Sequence, residues 1–117
     1  MSVLALLATI GASGCASNGT SSAIAYVRGD LDATLSVPLE SALRATNRAV
    51  TQLEFSKVSE RKDFLLAIVV ARNAADKKIE IRLERDADST TKMKIRVGAF
   101  GDEALAVATY TKISANL

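Results

Sequence analysis

Histidine and tryptophan are absent from this 117-residue chain, and cysteine and proline occur once each. Without histidine there is no side chain that titrates near neutrality unaided. Histidine-based triads and histidine-containing zinc sites are excluded with it. A single cysteine, Cys15, forms no internal disulfide. Aromatic residues make up only 4%, so the core must be built from Leu, Ile, Val and Ala. Excess charge of one sign is missing too: 15 Lys and Arg stand against 13 Asp and Glu, a net charge of +2. Nucleic acid is not an expected partner, because a phosphate-tracking surface needs a basic patch on one face.

Hydrophobic residues at 49% and charged residues at 24% mark a globular chain with room for one domain. The charged residues are unevenly placed, for every one lies at Arg28 or later. Val3 to Ile10 is almost wholly apolar and is followed by Gly11-Ala12-Ser13-Gly14 and Cys15. That order reads as the apolar stretch and small-residue cleavage zone of a secretory leader over 1–14. It is shorter than the roughly 20 apolar residues a spanning helix needs. Ala12-Ser13-Gly14-Cys15 resembles the lipobox of bacterial lipoproteins, with Ala12 where that motif prefers Leu, and with no Lys or Arg ahead of the apolar stretch. The expectation is lipidation at Cys15, which attaches the chain to the membrane, with 15–23 as a small, polar, flexible tether. The competing reading is an ordinary leader, or a buried strand, beside a bystander cysteine. Ala16 after the cysteine, by analogy with lipoprotein sorting, points to the periplasmic face of the outer membrane.

Residues 24–117 read as one α+β domain. Tyr26 to Val37 alternates, with Val27, Leu31, Ala33, Leu35 and Val37 on one face, and predicts a strand. Gly29 within it suggests a bulge or a close approach. Pro38 opens a helix over about 38–53, with a stripe of Leu39, Ala42, Leu43, Thr46, Val50 and Leu53. Phe55 to Glu60 alternates weakly, and Arg61-Lys62-Asp63 looks like a turn. Phe64 to Ala71 is apolar on both faces, as a central strand would be. Ile79, Ile81 and Leu83 alternate with Glu80, Arg82 and Glu84. Met93, Ile95 and Val97 alternate with Lys92, Lys94 and Arg96. Paired as a hairpin, these two strands set acidic residues opposite basic ones. Asp102 caps a last helix over roughly 102–115, with Ala106, Tyr110, Ile113 and Leu117 in one stripe. The expected fold is an antiparallel sheet of four to five strands, order β-α-β-β-β-β-α, with both helices on one face.

Candidate chemical motifs each meet an objection. Gly98-Ala99-Phe100-Gly101 leads into a helix N-terminus, where phosphates bind, but Asp102 and Glu103 occupy that place. Asp30 and Asp32 share a strand face that looks wet, where burial does not drive their pKa values apart. Asp86 and Asp88 lack the further oxygen ligands of a calcium loop. A Ser-Lys pair has no supporting spacing. Catalytic, cofactor-binding and metal residues are therefore not expected, and neither is an enzyme. The two-faced apolar run Phe64 to Ala71 needs a cover on its second face: Tyr26 from a neighbouring strand, a partner chain, or a lipid or other apolar ligand.

Tyr26-Val27-Arg28-Gly29-Asp30-Leu31, Pro38-Leu39, and Ile95-Arg96-Val97-Gly98-Ala99-Phe100-Gly101-Asp102-Glu103 together resemble a family of small bacterial envelope lipoproteins classed as a domain of unknown function. The resemblance spans nearly the whole chain after Cys15 and is most specific at its closing stretch. It implies an envelope lipoprotein with a sheet-and-two-helix domain, and some members are linked to virulence. It supplies no catalytic residue. The expected function is a non-enzymatic module that binds an envelope protein partner at the membrane surface. The alternative is a binding module for a lipid or other apolar small molecule.

Overall fold

The computed structural model describes residues 24–117. The expected leader at 1–14, Cys15 and the tether at 15–23 lie outside the described residues. Eight elements follow in order: β1 (Ile24–Val27), β2 (Asp30–Leu35), α1 (Leu39–Gln52), β3 (Ser56–Lys62), β4 (Leu66–Arg72), β5 (Lys78–Ala87), β6 (Thr90–Val97) and α2 (Glu103–Ala115). The strands form one six-stranded antiparallel sheet in the order β1-β2-β6-β5-β4-β3. The α+β class is as the sequence implied. The strand number is six rather than four to five, and the element order begins β-β-α.

The extra strand comes from Arg28 and Gly29. Their φ angles are +56° and +86°, the pair of positive values that a two-residue type I′ hairpin turn requires. The expected single strand over Tyr26 to Val37 is thus two strands folded back on each other. Folding back across two residues also reverses the parity of the pattern. Tyr26 lies opposite Leu31, and Val27 lies opposite Asp30. Val27 is therefore on the open face and 51% exposed, while Tyr26 packs against the core.

One sheet face carries Leu31, Ala33 and Leu35 of β2, Met93, Ile95 and Val97 of β6, Ile79, Ile81 and Leu83 of β5, and Ala67, Val69 and Ala71 of β4. All are buried, and the cross-strand registers place them side by side. Each fully buried Leu or Ile contributes about 1.5–3 kcal/mol by leaving water. Both helices cover this face. α1 packs mainly on β4 and β5, and α2 on β2 and β6. α1 buries Leu39, Ala42, Leu43, Ala45, Thr46, Ala49 and Val50, and α2 buries Ala106, Thr109 and Ile113. The expected α1 stripe holds from Leu39 to Val50 and widens to Ala45 and Ala49, while Leu53 is only half-buried at the helix end. In α2, Ala106 and Ile113 are buried as expected, but Thr109 is the third buried residue, and Tyr110 and Leu117 are half-buried.

Phe64 to Ala71 is not the central strand its sequence implied. β4 starts at Leu66 and is second from the sheet edge. Phe64 and Leu65 lie in the β3–β4 turn, 70% and 60% exposed. Arg61 and Lys62, expected in a turn, end β3 instead. Asp63 makes the turn. Its Oδ1 accepts from the backbone N–H groups of Leu65 (2.8 Å) and Leu66 (2.9 Å), as short polar side chains do in Asx turns. Arg85 holds that turn down. Its guanidinium lies 4.2 Å over the Phe64 ring, its Nε donates to the Phe64 carbonyl (2.8 Å), and its Nη2 donates to Glu40 Oε2 (2.6 Å).

Candidate functional site

The far end of the sheet gathers the β1–β2 turn, the loop from β6 to α2, and the β4–β5 turn. Gly98 and Gly101 bound the loop with φ of +70° and +88°. Gly101 presses on the hairpin tip. A Cβ there would stand 2.5 Å from Tyr26 Oη and 2.6 Å from Gly29 Cα. Only glycine fits a backbone approach this close at such a φ.

Arg96 ties the pieces together. Its Nη1 donates to the Arg28 carbonyl (3.2 Å) and to Asp30 Oδ1 (3.0 Å), and its Nη2 donates to the Ala99 carbonyl (2.8 Å). The rigid fork of the guanidinium suits three acceptors on two segments. Lys77 adds a third segment, since its Nζ lies 3.0 Å from Asp102 Oδ2. The Gly98 N–H donates to the Lys78 carbonyl at 2.8 Å. Asp102 caps α2, its Oδ1 accepting from the Leu105 N–H at 3.1 Å, as expected. That backbone bond first, and the Lys77 contact second, hold its carboxyl below its ordinary pKa of 3.8. The stretches Tyr26–Asp30 and Arg96–Asp102, apart in sequence, therefore meet in one braced structure.

What this brace presents is an aromatic ring. Phe100 is 96% exposed. Val27, half-exposed, and the exposed Arg28 stand at the same end. Folding gains nothing from leaving Phe100 in water, and the loop that carries it is fixed through Ala99 and Gly101. Sequence reading missed both features. Arg96 reads in sequence as one more residue of a solvated strand face, and Phe100 only as part of the glycine loop before the last helix. The available signal was an aromatic residue framed by glycines at a tight strand-to-helix turn.

The other motifs resolve into ion pairs on the open sheet face. Asp30 is held by Arg96, and Asp32 Oδ1 lies 3.8 Å from Lys94 Nζ. The expected hairpin of β5 and β6 sets Glu80 opposite Arg96 and Glu84 opposite Lys92, but Arg82 faces Lys94. Asp86 lies 3.9 Å from Lys92. An open depression of about 470 Å³ crosses this face, lined by Ile24, Ala25, Asp32, Thr34, Arg82 and Glu84 among others. Its charges are mixed and it shows no convergent set of groups. The second face of β4 shows Leu66, Ile68 and Val70, each half-buried. Among the described residues, no group of three or more Cys, Asp or Glu could hold a metal ion. No described helix is long and apolar enough to cross a membrane. Cys15 lies outside the described residues.

A protein-family model matches residues 1–116, a span that takes in Cys15 and both segments of the brace. The chain belongs to the family described as Protein of unknown function (DUF3568). None of the curated proteins compared with it matches. The DUF3568 match covers the first 23 residues as well as the folded domain, so both parts belong to the family pattern.

Proposed function

We propose that this DUF3568 chain is a non-enzymatic module of the bacterial cell envelope. In this reading it is held at the periplasmic face of the outer membrane by lipid on Cys15, and it docks a protein partner through Phe100. The observation that carries the reading is the 96% exposure of Phe100 on a loop braced by Arg96 and Gly101. The backbone that carries the ring is already held by Arg96 and Gly101, so only side-chain freedom is lost on binding, and aromatic anchors dominate many interfaces. Burying such a side chain in a partner's pocket contributes about 1.5–3 kcal/mol. The direction of the chain agrees. β1 runs from Ile24 toward the hairpin tip, so the tether joins away from the Phe100 end and leaves it free to face outward.

The apolar-ligand reading has less support. Twelve side chains at the heart of the domain, among them Leu31, Leu35, Ile79, Ile81, Leu83 and Ile95, are below 2% exposed or nearly so, which leaves sheet and helices close-packed. The test is chemical cross-linking in intact cells with the unmodified chain and with Phe100→Ser. The expected result is a discrete adduct that falls about tenfold in the variant, the factor that 1.4 kcal/mol supplies. An undiminished adduct, or none with either chain, would remove the reading. Incorporation of labelled fatty acid that persists in Cys15→Ala would remove the anchor.

A further inference from the structure

The two edges of the sheet are built differently. β3 is exposed along all seven residues, Ser56–Lys62. It carries Lys57, Glu60, Arg61 and Lys62 and has an irregular register between Lys57 and Ser59. Charge and bulges are two of the devices that stop an edge from pairing, and shortness is another. β1, Ile24-Ala25-Tyr26-Val27, has neither charge nor bulge. Among the described residues its outer edge pairs with nothing. The helices pack chiefly on β2 and β4 to β6, and Ile24 and Val27 of β1 stay 44% and 51% exposed.

We propose that β1 pairs antiparallel with β1 of a second copy of this chain, about a two-fold axis through Ala25, joining the two sheets edge to edge. The backbone allows it. Val27 and Asp30 flank a two-residue turn and so face each other as a hydrogen-bonded pair. Counting back, Ile24 and Tyr26 turn their N–H and C=O groups to the free edge. The side chains fit the same axis. Ile24 and Tyr26 share the helix side with Ala33 and Leu31, while Ala25 shares the open side with Asp32. Setting Ala25 on its own copy keeps every side chain on its proper face. It also brings Ile24 opposite Tyr26, an aliphatic–aromatic pair of the kind that stabilises sheets. A charge at the axis would meet its own image, and β1 carries none. The same lack of charge gives β1 nothing with which to select a charged partner strand, and this favours a second copy. The pairing is short, so the association is concentration-dependent. It uses the backbone edge of β1 and not the Phe100 ring, which lies in the loop between β6 and α2.

The test is mild oxidation of the full chain carrying Ala25→Cys. Directly opposed residues lie about 4.5–5.5 Å apart at Cα, within the span of a disulfide. Three comparisons accompany it: the unmodified chain with Cys15 alone, Lys57→Cys on the β3 edge, and Ala25→Cys combined with Ile24→Lys. The expected result is a covalent dimer at least tenfold more abundant for Ala25→Cys than for Lys57→Cys, and lost when Ile24→Lys guards the edge. Equal yields at both edges, no dimer, or a disulfide to a different protein would overturn the proposal. Should Ala25→Cys fail to fold, sedimentation of the unmodified chain against Ile24→Lys decides. A mass that halves with the lysine supports pairing, and an unchanged mass overturns it.

Discussion

Gly98 and Gly101 have similar φ, yet a side chain would meet different surroundings at each. At Gly98 a Cβ finds only the Lys77 stem at 3.7 Å, whereas at Gly101 it collides with Gly29 Cα at 2.6 Å. Gly98→Ala carries only the cost of an L-residue in the left-handed region, about 1–2 kcal/mol. Gly101→Ala adds a backbone clash that no rotamer relieves, for a total of about 2–4 kcal/mol. Urea midpoints of the two variants should rank in that order. Equal losses would mean that the loop does not press on the hairpin tip. Phe100 belongs to the same loop but not to its stability. Phe100→Ser should change the unfolding free energy by no more than about 0.5 kcal/mol, as exposed positions do. A larger loss would make Phe100 a structural residue.

Elements show where sequence reading succeeds and where it fails. α2 was legible because Asp102 announces its own start through a local side-chain bond. β5 and β6 were legible because one buried face imposes strict alternation. β1 and β2 read as a single strand, because a two-residue turn leaves the alternation unbroken while reversing its faces. Only Gly29 hinted at the break. Of the brace only the close approach at Gly29 was legible, where Gly101 now presses; the parts played by Arg96 and Tyr26 depend on which strands become neighbours. Helix α1 ends with the Glu54 N–H donating to Thr51 and the Phe55 N–H to Val50, both at 3.0 Å. This is a Schellman ending with Glu54 at φ +61°, where glycine is preferred. Glu54→Gly should stabilise the domain by about 0.5–1 kcal/mol, the left-handed penalty less the extra freedom glycine has when unfolded. Thermal unfolding would check it, and a lower midpoint would contradict this account of the helix end.

At the scale of the whole molecule, a close-packed helix-covered face and a salt-bridged open face leave both ends of the sheet and the β1 edge for contact. Acid should loosen it in a defined window. Glu40, chiefly through a backbone hydrogen bond and then Arg85, Glu60 through Lys57, and Asp102 through Leu105 all have pKa values held below their ordinary 4.5, 4.5 and 3.8. A carboxylate with a lowered folded pKa stabilises fully above its ordinary value, and that contribution is lost as pH falls through the folded pKa. Urea midpoints should therefore stay level above those ordinary values and fall below them. A midpoint that holds or rises toward pH 3 would show these contacts to be idle.

In the proposed function Phe100 is the part of the molecule that meets a protein partner. This role is tested most directly by placing a photo-cross-linking phenylalanine analogue at Phe100 of the full chain in intact cells, with the same analogue at Asp88 in the exposed β5–β6 turn for comparison. The expected result is one discrete protein adduct from position 100 and none from position 88. No adduct at either position, or the same set of adducts at both, would contradict it.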